Sequence, residues 1–149
     1  MRIGEICTRE VVHCSRKTTA LELAQIMRTS HVGDVIVADQ PNGERIPVGI
    51  VTDRDLVVEV MAMEADPTVV TADDLMGREL VTAGEANSVH EIAELMRSKG
   101  VRRIPVVNEY GALIGIVTLD DLLKVIGEEL SLLGRVFSRE QFEERQTRR

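Results

Sequence analysis

The chain has 149 residues, enough for one ordinary domain or two half-size ones, and at 44% hydrophobic it carries the material for a core. A net charge of −7 with only 2% aromatic residues excludes the nucleic-acid binders, which need a basic surface and stacking platforms. Tyr110, Phe137 and Phe142 are the whole aromatic set, so a flat ligand would be gripped by aliphatic side chains.

Met1 to Ile6 contain no apolar signal core, and no run approaches the length of a membrane span, so a cytoplasmic location and no membrane partner are expected. Cys7, His13 and Cys14 place three metal-binding residue types close together, but without a recognised zinc spacing. The expected role of Cys7 is that of a small buried hydrophobe, and no metal site is assigned. A short strand is expected at Val11-Val12, then a helix capped by Thr19 and ending near Ser30, with Leu23, Ala24, Ile26 and Met27 as its buried stripe. A hairpin follows, residues 32–38 with 48–51. It leads into Gly49-Ile50-Val51-Thr52-Asp53-Arg54-Asp55 and a helix carrying Leu56, Val57 and Val60.

Residues 63–72, containing Asp66-Pro67, read as a linker in which contacts should be fewest. The same order then returns. A strand is expected at Leu80-Val81-Thr82, and a helix from Ser88 to Gly100 with Ile92, Ala93, Leu95 and Met96 inside. A hairpin pairs residues 101–107 with 113–117, and Gly115-Ile116-Val117-Thr118-Leu119-Asp120-Asp121 leads into a helix with Leu122, Leu123 and Ile126. Residues 134–149, with five arginines and three glutamates around two phenylalanines, read as a charged, frayed tail, the other reading being a partner or dimer contact.

Self-comparison makes the repeat explicit. Val12 falls on Val81, Glu22 on Glu91, Met27 on Met96, Val32 on Val101 and Val37 on Val106; after a hairpin shorter by three residues, Gly49 falls on Gly115, Thr52 on Thr118 and Asp55 on Asp121. Cys7 falls on Met76, a plain apolar residue. The fold class expected is therefore α/β (α+β), a β-α-β-β-α unit made twice. Each half is small to stand alone and should pair with the other to bury its sheet. The expected divisions are 1–62, the linker 63–72, 73–133 and the tail 134–149.

The chemistry centres on Thr-x-x-Asp at each strand-to-helix junction. A helix N-terminus offers unpaired N–H groups to a phosphate, and a carboxylate suits a ribose diol. The same spacing is close to a capping box, in which Thr and Asp serve only the helix. Arg54 lies between the acids of the first copy, whereas Asp120 stands beside Asp121 in the second, so the Thr52/Asp55 junction is expected to favour phosphates more. Asp34, where the second repeat has Arg103, complicates that ranking, and Arg102 or Arg103 faces the cleft by alternation. His31 and His90 have no nucleophile or second ligand nearby. No Ser-His-Asp order, P-loop or Gly-x-Gly-x-x-Gly occurs, so no enzyme activity is expected.

The set Asp74-Leu75-Met76, Leu80-Val81-Thr82, Arg103-Ile104-Pro105-Val106-Val107, Gly111 and Gly115-Ile116-Val117-Thr118-x-x-Asp121-Leu122, largely duplicated upstream, resembles a CBS domain. The tandem, over residues 1–130, resembles a stand-alone CBS pair or Bateman module. The resemblance implies two clefts about a pseudo-twofold axis that bind adenosine-containing ligands: AMP, ADP or ATP, and less often NAD or S-adenosylmethionine. It implies that Thr52 with Asp55 and Thr118 with Asp121 meet phosphate and ribose. Ile50, Ile116, Val35, Ile36, Ile104 and Pro105 would then line adenine. By charge and position, apart from the resemblance, Arg54 could meet a phosphate, as could Arg103 if it is the one facing the cleft, the other reading of Arg102 and Arg103 being a solvated edge. The resemblance further implies a homodimer, an unidentified regulated protein as partner, and a regulatory ligand rather than a required cofactor. The alternative is a structural dimerisation or protein-interaction module with no nucleotide bound.

Overall fold

The structure, a computed structural model, describes residues 1–77 and 79–148. Its first half holds α1 (Ile3–Ile6), β1 (His13–Cys14), α2 (Ala20–Ser30), β2 (Asp34–Asp39), β3 (Ile46–Thr52) and α3 (Asp53–Asp55), which runs on as a π-helical turn at Leu56–Met61. The second half holds α4 (Ala72–Leu75), β4 (Ala83–Gly84), α5 (Val89–Lys99), β5 (Arg103–Val107), β6 (Leu113–Thr118) and α6 (Leu119–Thr147). Each half makes its own three-stranded sheet, ordered β1-β2-β3 and β4-β5-β6. In both, the first pair is parallel and the second antiparallel.

The helices begin where their capping residues dictate. The Glu22 N–H donates to Thr19 Oγ1 at 3.2 Å while the Thr19 N–H donates to Glu22 Oε2 at 2.8 Å, and Ser88 with Glu91 repeats the box at 3.2 and 2.6 Å. Leu23 and Met27 of α2 pack on Val35, Val37 and Val51; Ile92 and Met96 of α5 pack on Ile104, Val106 and Val117. Helical spacing on one side and strand alternation on the other thus meet in two equivalent cores.

Each core is completed by the other half's lead-in. Ile3 is fully buried in the second core, and Ala72 in the first. The backbone repeats the exchange. Ile3 N–H donates to the Asn87 carbonyl at 2.8 Å and Gly4 N–H to Glu85 at 2.9 Å, while Ala72 N–H donates to Thr18 at 2.8 Å and Asp73 N–H to Arg16 at 3.0 Å. These reciprocal bonds define the pseudo-twofold relation between the halves.

Three expectations differ from the structure. The strands expected at Val11-Val12 and Leu80-Val81-Thr82 start two and three residues later, because pairing starts where His13 meets Ile36 and Ala83 meets Val106. The Val12 carbonyl still accepts from the Ile36 N–H at 3.0 Å. The later part of the linker is tied down: Leu21 N–H donates to the Pro67 carbonyl at 2.9 Å and Ala20 N–H to Val70 at 2.8 Å. Those first-turn N–H groups of α2 need acceptors, and the linker supplies them. The expected frayed tail is the distal half of α6, a single helix of 29 residues. No proline interrupts it, and Arg139–Glu143 and Arg148–Glu144, each at 2.8 Å and i,i+4, brace its last turns.

Candidate functional site

Strand register sorts the expected site residues onto two faces. Asp34 pairs with Thr52 and Ile36 with Ile50; Arg103 pairs with Thr118 and Pro105 with Ile116. Opposed residues in an antiparallel pair share a face. One face of the first sheet therefore carries Asp34, Ile36, Ile50 and Thr52, and one face of the second carries Arg103, Pro105, Ile116 and Thr118. Val35 and Ile104 belong to the opposite faces. They are fully buried in the two cores beneath α2 and α5, so their side chains pack the helices and not this surface.

The two special faces meet. Arg103 Nε lies 3.2 Å from Asp34 Oδ1, linking the starts of β5 and β2 across the halves. Ile36 and Pro105, two residues further along the same faces, are fully buried yet belong to neither core. Asp34 is the more enclosed partner, with its side chain 16% exposed against 39% for Arg103. Burial pushes the Asp34 carboxyl up from its ordinary value, opposed by Arg103 and reinforced by Asp53. The Asp53 N–H donates to the Gly33 carbonyl at 2.9 Å, which brings a second carboxylate beside this ion pair. Asp53 and the Asp34–Arg103 contact were missed in the sequence. For the pair the signal is the opposite charge at aligned repeat positions, which a pseudo-twofold axis brings together; Asp53, aligned with Leu119, carries no such signal.

Thr52 and Asp55 form a reciprocal box. The Thr52 N–H donates to Asp55 Oδ2 at 2.8 Å, and the Asp55 N–H donates to Thr52 Oγ1 at 3.2 Å. Thr118 and Asp121 repeat both bonds at the same lengths, and the Thr118 hydroxyl adds a third to Asp121 Oδ2 at 2.9 Å. The capping function is therefore real. Yet the box engages only Oδ2 of each carboxylate, and Oδ1 of Asp55 and of Asp121 accepts no bond among the described residues. All four side chains are half-buried, so each carboxylate offers one oxygen from a sheltered position. Arg54 and Arg102 are exposed and without an ion pair among the described residues, and Asp120 is exposed beside Asp121.

The glycine that opens each heptapeptide has a steric cause. A Cβ on Gly49 would come within 2.6 Å of Met76 Sδ, and one on Gly115 within 2.7 Å of Cys7 Sγ and 2.9 Å of the Thr8 carbonyl. The other half's lead-in crosses the strand there, and Thr8 pairs with Ile116 through bonds of 2.9 and 3.0 Å. Cys7 and Cys14 are free thiols in different cores, each with its pKa raised by burial. Two shallow depressions, each about 420 Å³, lie elsewhere. One is lined by His13, Cys14 and Asp39 among others, the other by Gln141, Glu144, Arg145 and Arg148. No described helix is long and apolar enough to cross a membrane.

Two interlocked β-α-β-β-α units, joined about a pseudo-twofold axis with a Thr-x-x-Asp junction in each, define a paired-repeat module. The chain belongs to the CBS domain family, whose profile matches residues 3–62 and 72–128. It is 40% identical over 123 residues to an uncharacterised protein of Methanopyrus kandleri, covering 83% of this chain but 61% of that one, less than two-thirds of the relative's length. Among solved structures it resembles Hypoxic Response Protein I, described with two coordinated zinc ions, at a TM-score of 0.72 and 28% identity, over 83% of this chain and 98% of that one. It also resembles a CBS domain protein from Pyrobaculum aerophilum complexed with AMP, at a TM-score of 0.73 and 27% identity, over 81% of this chain and 89% of that one.

Proposed function

We propose that the protein is a non-catalytic regulatory module that binds an adenosine-containing ligand between its two CBS units. The observation that carries this reading is the half-committed carboxylate at each junction. Asp55 and Asp121 cap a helix through Oδ2 and keep Oδ1 for a ribose hydroxyl, beside N–H groups and a dipole end suited to phosphate. The AMP complex of the Pyrobaculum relative supports the ligand class. Ile50 and Ile116, half-buried, are the aliphatic surface for the purine, with Ile36 and Pro105 buried beside them on the same faces; Arg54 is the unpaired cation for phosphate among the described residues, and Arg103, which Asp34 holds at 3.2 Å, lies on the same face as Thr118. The ligand would join the two halves, and a homodimer would transmit the change in packing to a regulated protein.

Thermal unfolding and calorimetric titration with AMP, ADP, ATP, NAD and S-adenosylmethionine test it. A ligand at a hundred times its dissociation constant adds about 2.7 kcal/mol of stability. Asp55→Asn and Asp121→Asn retain an acceptor for the cap while removing the charged diol acceptor. The affected cleft should lose about tenfold or more in affinity, since a bond to a charged group contributes roughly 1.5–3 kcal/mol. The second reading, an interaction module with empty clefts, is favoured by the capping boxes themselves. Thr71 with Asp74 forms the same box at α4, where no ligand role is assigned. No thermal response to any of the five ligands would select that second reading.

A further inference from the structure

From Ile126 to Thr147, 22 residues and about 33 Å of helix, every described side chain of α6 is exposed. Most helix stability in proteins comes from packing an apolar face, which this segment lacks within one chain, and the glycines at 127 and 134 weaken it further. It nevertheless carries an apolar stripe. Leu123, Ile126, Leu130, Leu133 and Phe137 alternate at intervals of three and four, the seam spacing of a coiled coil, and are 43–68% exposed.

We propose that a second copy of this chain covers the stripe, pairing antiparallel with α6 about a twofold axis near residues 131 and 132. Three features of the segment agree on that arrangement. The stripe is self-complementary in reverse: Leu130 meets Leu133 of the second copy and Ile126 meets Phe137, so an isologous contact closes over these central apolar layers, with Leu123 at each end facing Glu140. In the same register Gly127 of one helix falls opposite Gly134 of the other along one flank. Open space surrounds both glycines, so the absent side chains let the axes approach closely there. Charge agrees as well. Asp120, Asp121, Glu128 and Glu129 against Lys124 make the first part of α6 acidic, whereas after the midpoint Arg135, Arg139, Arg145 and Arg148 outnumber Glu140, Glu143 and Glu144, and Glu128 falls opposite Arg135 in this register. Antiparallel packing sets acid beside base and opposes the helix dipoles; a parallel pair stacks like on like. The acidic first part also argues against a lipid surface, which calls for a basic polar face.

This inference deepens the homodimer of the proposed function by naming its contact, and it is independent of ligand binding. Sedimentation of the full chain should show a dimer whose affinity falls at least tenfold in Leu130→Glu and in Leu133→Glu. Leu132→Glu, exposed but off the stripe, should leave it unchanged. All three should fold with the wild-type circular dichroism of the globular halves, since none of these side chains is buried within one chain, and Leu130→Glu and Leu133→Glu should lose only the concentration-dependent part of the unfolding midpoint. Mixed copies of Ile126→Cys and Phe137→Cys should form a disulfide between 126 and 137. Only same-residue disulfides, which mark parallel helices, would overturn the proposal. So would a dimer indifferent to Leu130→Glu and Leu133→Glu, although the homodimer itself would survive that result. A wild-type monomer would remove both.

Discussion

Asp34 and Arg103 open equivalent strands of the two repeats, and the pseudo-twofold axis turns their opposite charges into a contact of 3.2 Å. The pair is asymmetric in environment, and Asp34 bears the desolvation. Because its carboxyl is raised above the ordinary value of 3.8, the native state holds that proton to a higher pH than the unfolded chain does. The resulting stabilisation is complete at and below the ordinary carboxylate range and is lost as pH rises through the native value. Asp34→Asn should lack this loss. Urea unfolding of both proteins from pH 3.5 to 7, stepped about the reference carboxylate pKa of roughly 3.9, should show the wild type losing ground to the variant as pH rises. A difference independent of pH would mean that Asp34 titrates as it does when unfolded. Asp74 and Glu91 run the other way. Their hydrogen bonds hold them below their ordinary values, so their support exists above that range and disappears on acidification.

At the scale of elements, α2 and α5 are near copies that end differently. Both close on a left-handed residue whose N–H bonds the carbonyl four positions back: His31 at φ 54° bonding to Met27, and Gly100 at φ 65° bonding to Met96. Glycine adopts that conformation without Cβ strain and histidine does not. His31→Gly should therefore stabilise the protein by about 0.5–1 kcal/mol, the strain relieved being partly offset by a more flexible unfolded chain. That corresponds to a rise in melting temperature of roughly 2 °C. A fall would show that the exposed His31 side chain makes up for its backbone. The helix after β3 departs from its counterpart in another way: Ala62 N–H bonds to Val57 and Ala65 N–H to Val60, the π-helical i,i+5 pattern, where β6 is followed by regular α6.

At the scale of the molecule, the exchange of α1 and α4 means that neither sequence repeat contains its own complete core. Ile3 lies in the core of the second half and Ala72 in that of the first. Ile3→Ala should cost about 3 kcal/mol, within the range for a fully buried isoleucine. The loss should appear as a lower single transition rather than as melting of one half, because each half loses a wall when the other opens. Calorimetric and van't Hoff enthalpies that agree would support this; two resolved transitions would contradict it.

The sequence by itself determined what depends on neighbours along the chain. Thr19, Ser88, Thr52 and Thr118 mark helix starts because capping is settled within four residues. The periods of α2, α5 and the hairpins mark which faces are apolar, and the repeat marks two equivalent units. Tertiary structure decided whatever depends on where the second unit sits. Alternation alone does not say which face meets the other sheet, so Val35 and Ile104 stood beside Ile36 and Pro105 as candidates until packing under α2 and α5 separated them. The glycines of the heptapeptides looked like turn residues; the crossing lead-in makes them steric necessities. By charge alone Arg103 reads as a phosphate ligand; only the tertiary structure places Asp34 against it, at 3.2 Å. The last stretch read as tail because its apolar residues find no partner within one chain, whereas a helix needs only its own backbone bonds to run through them.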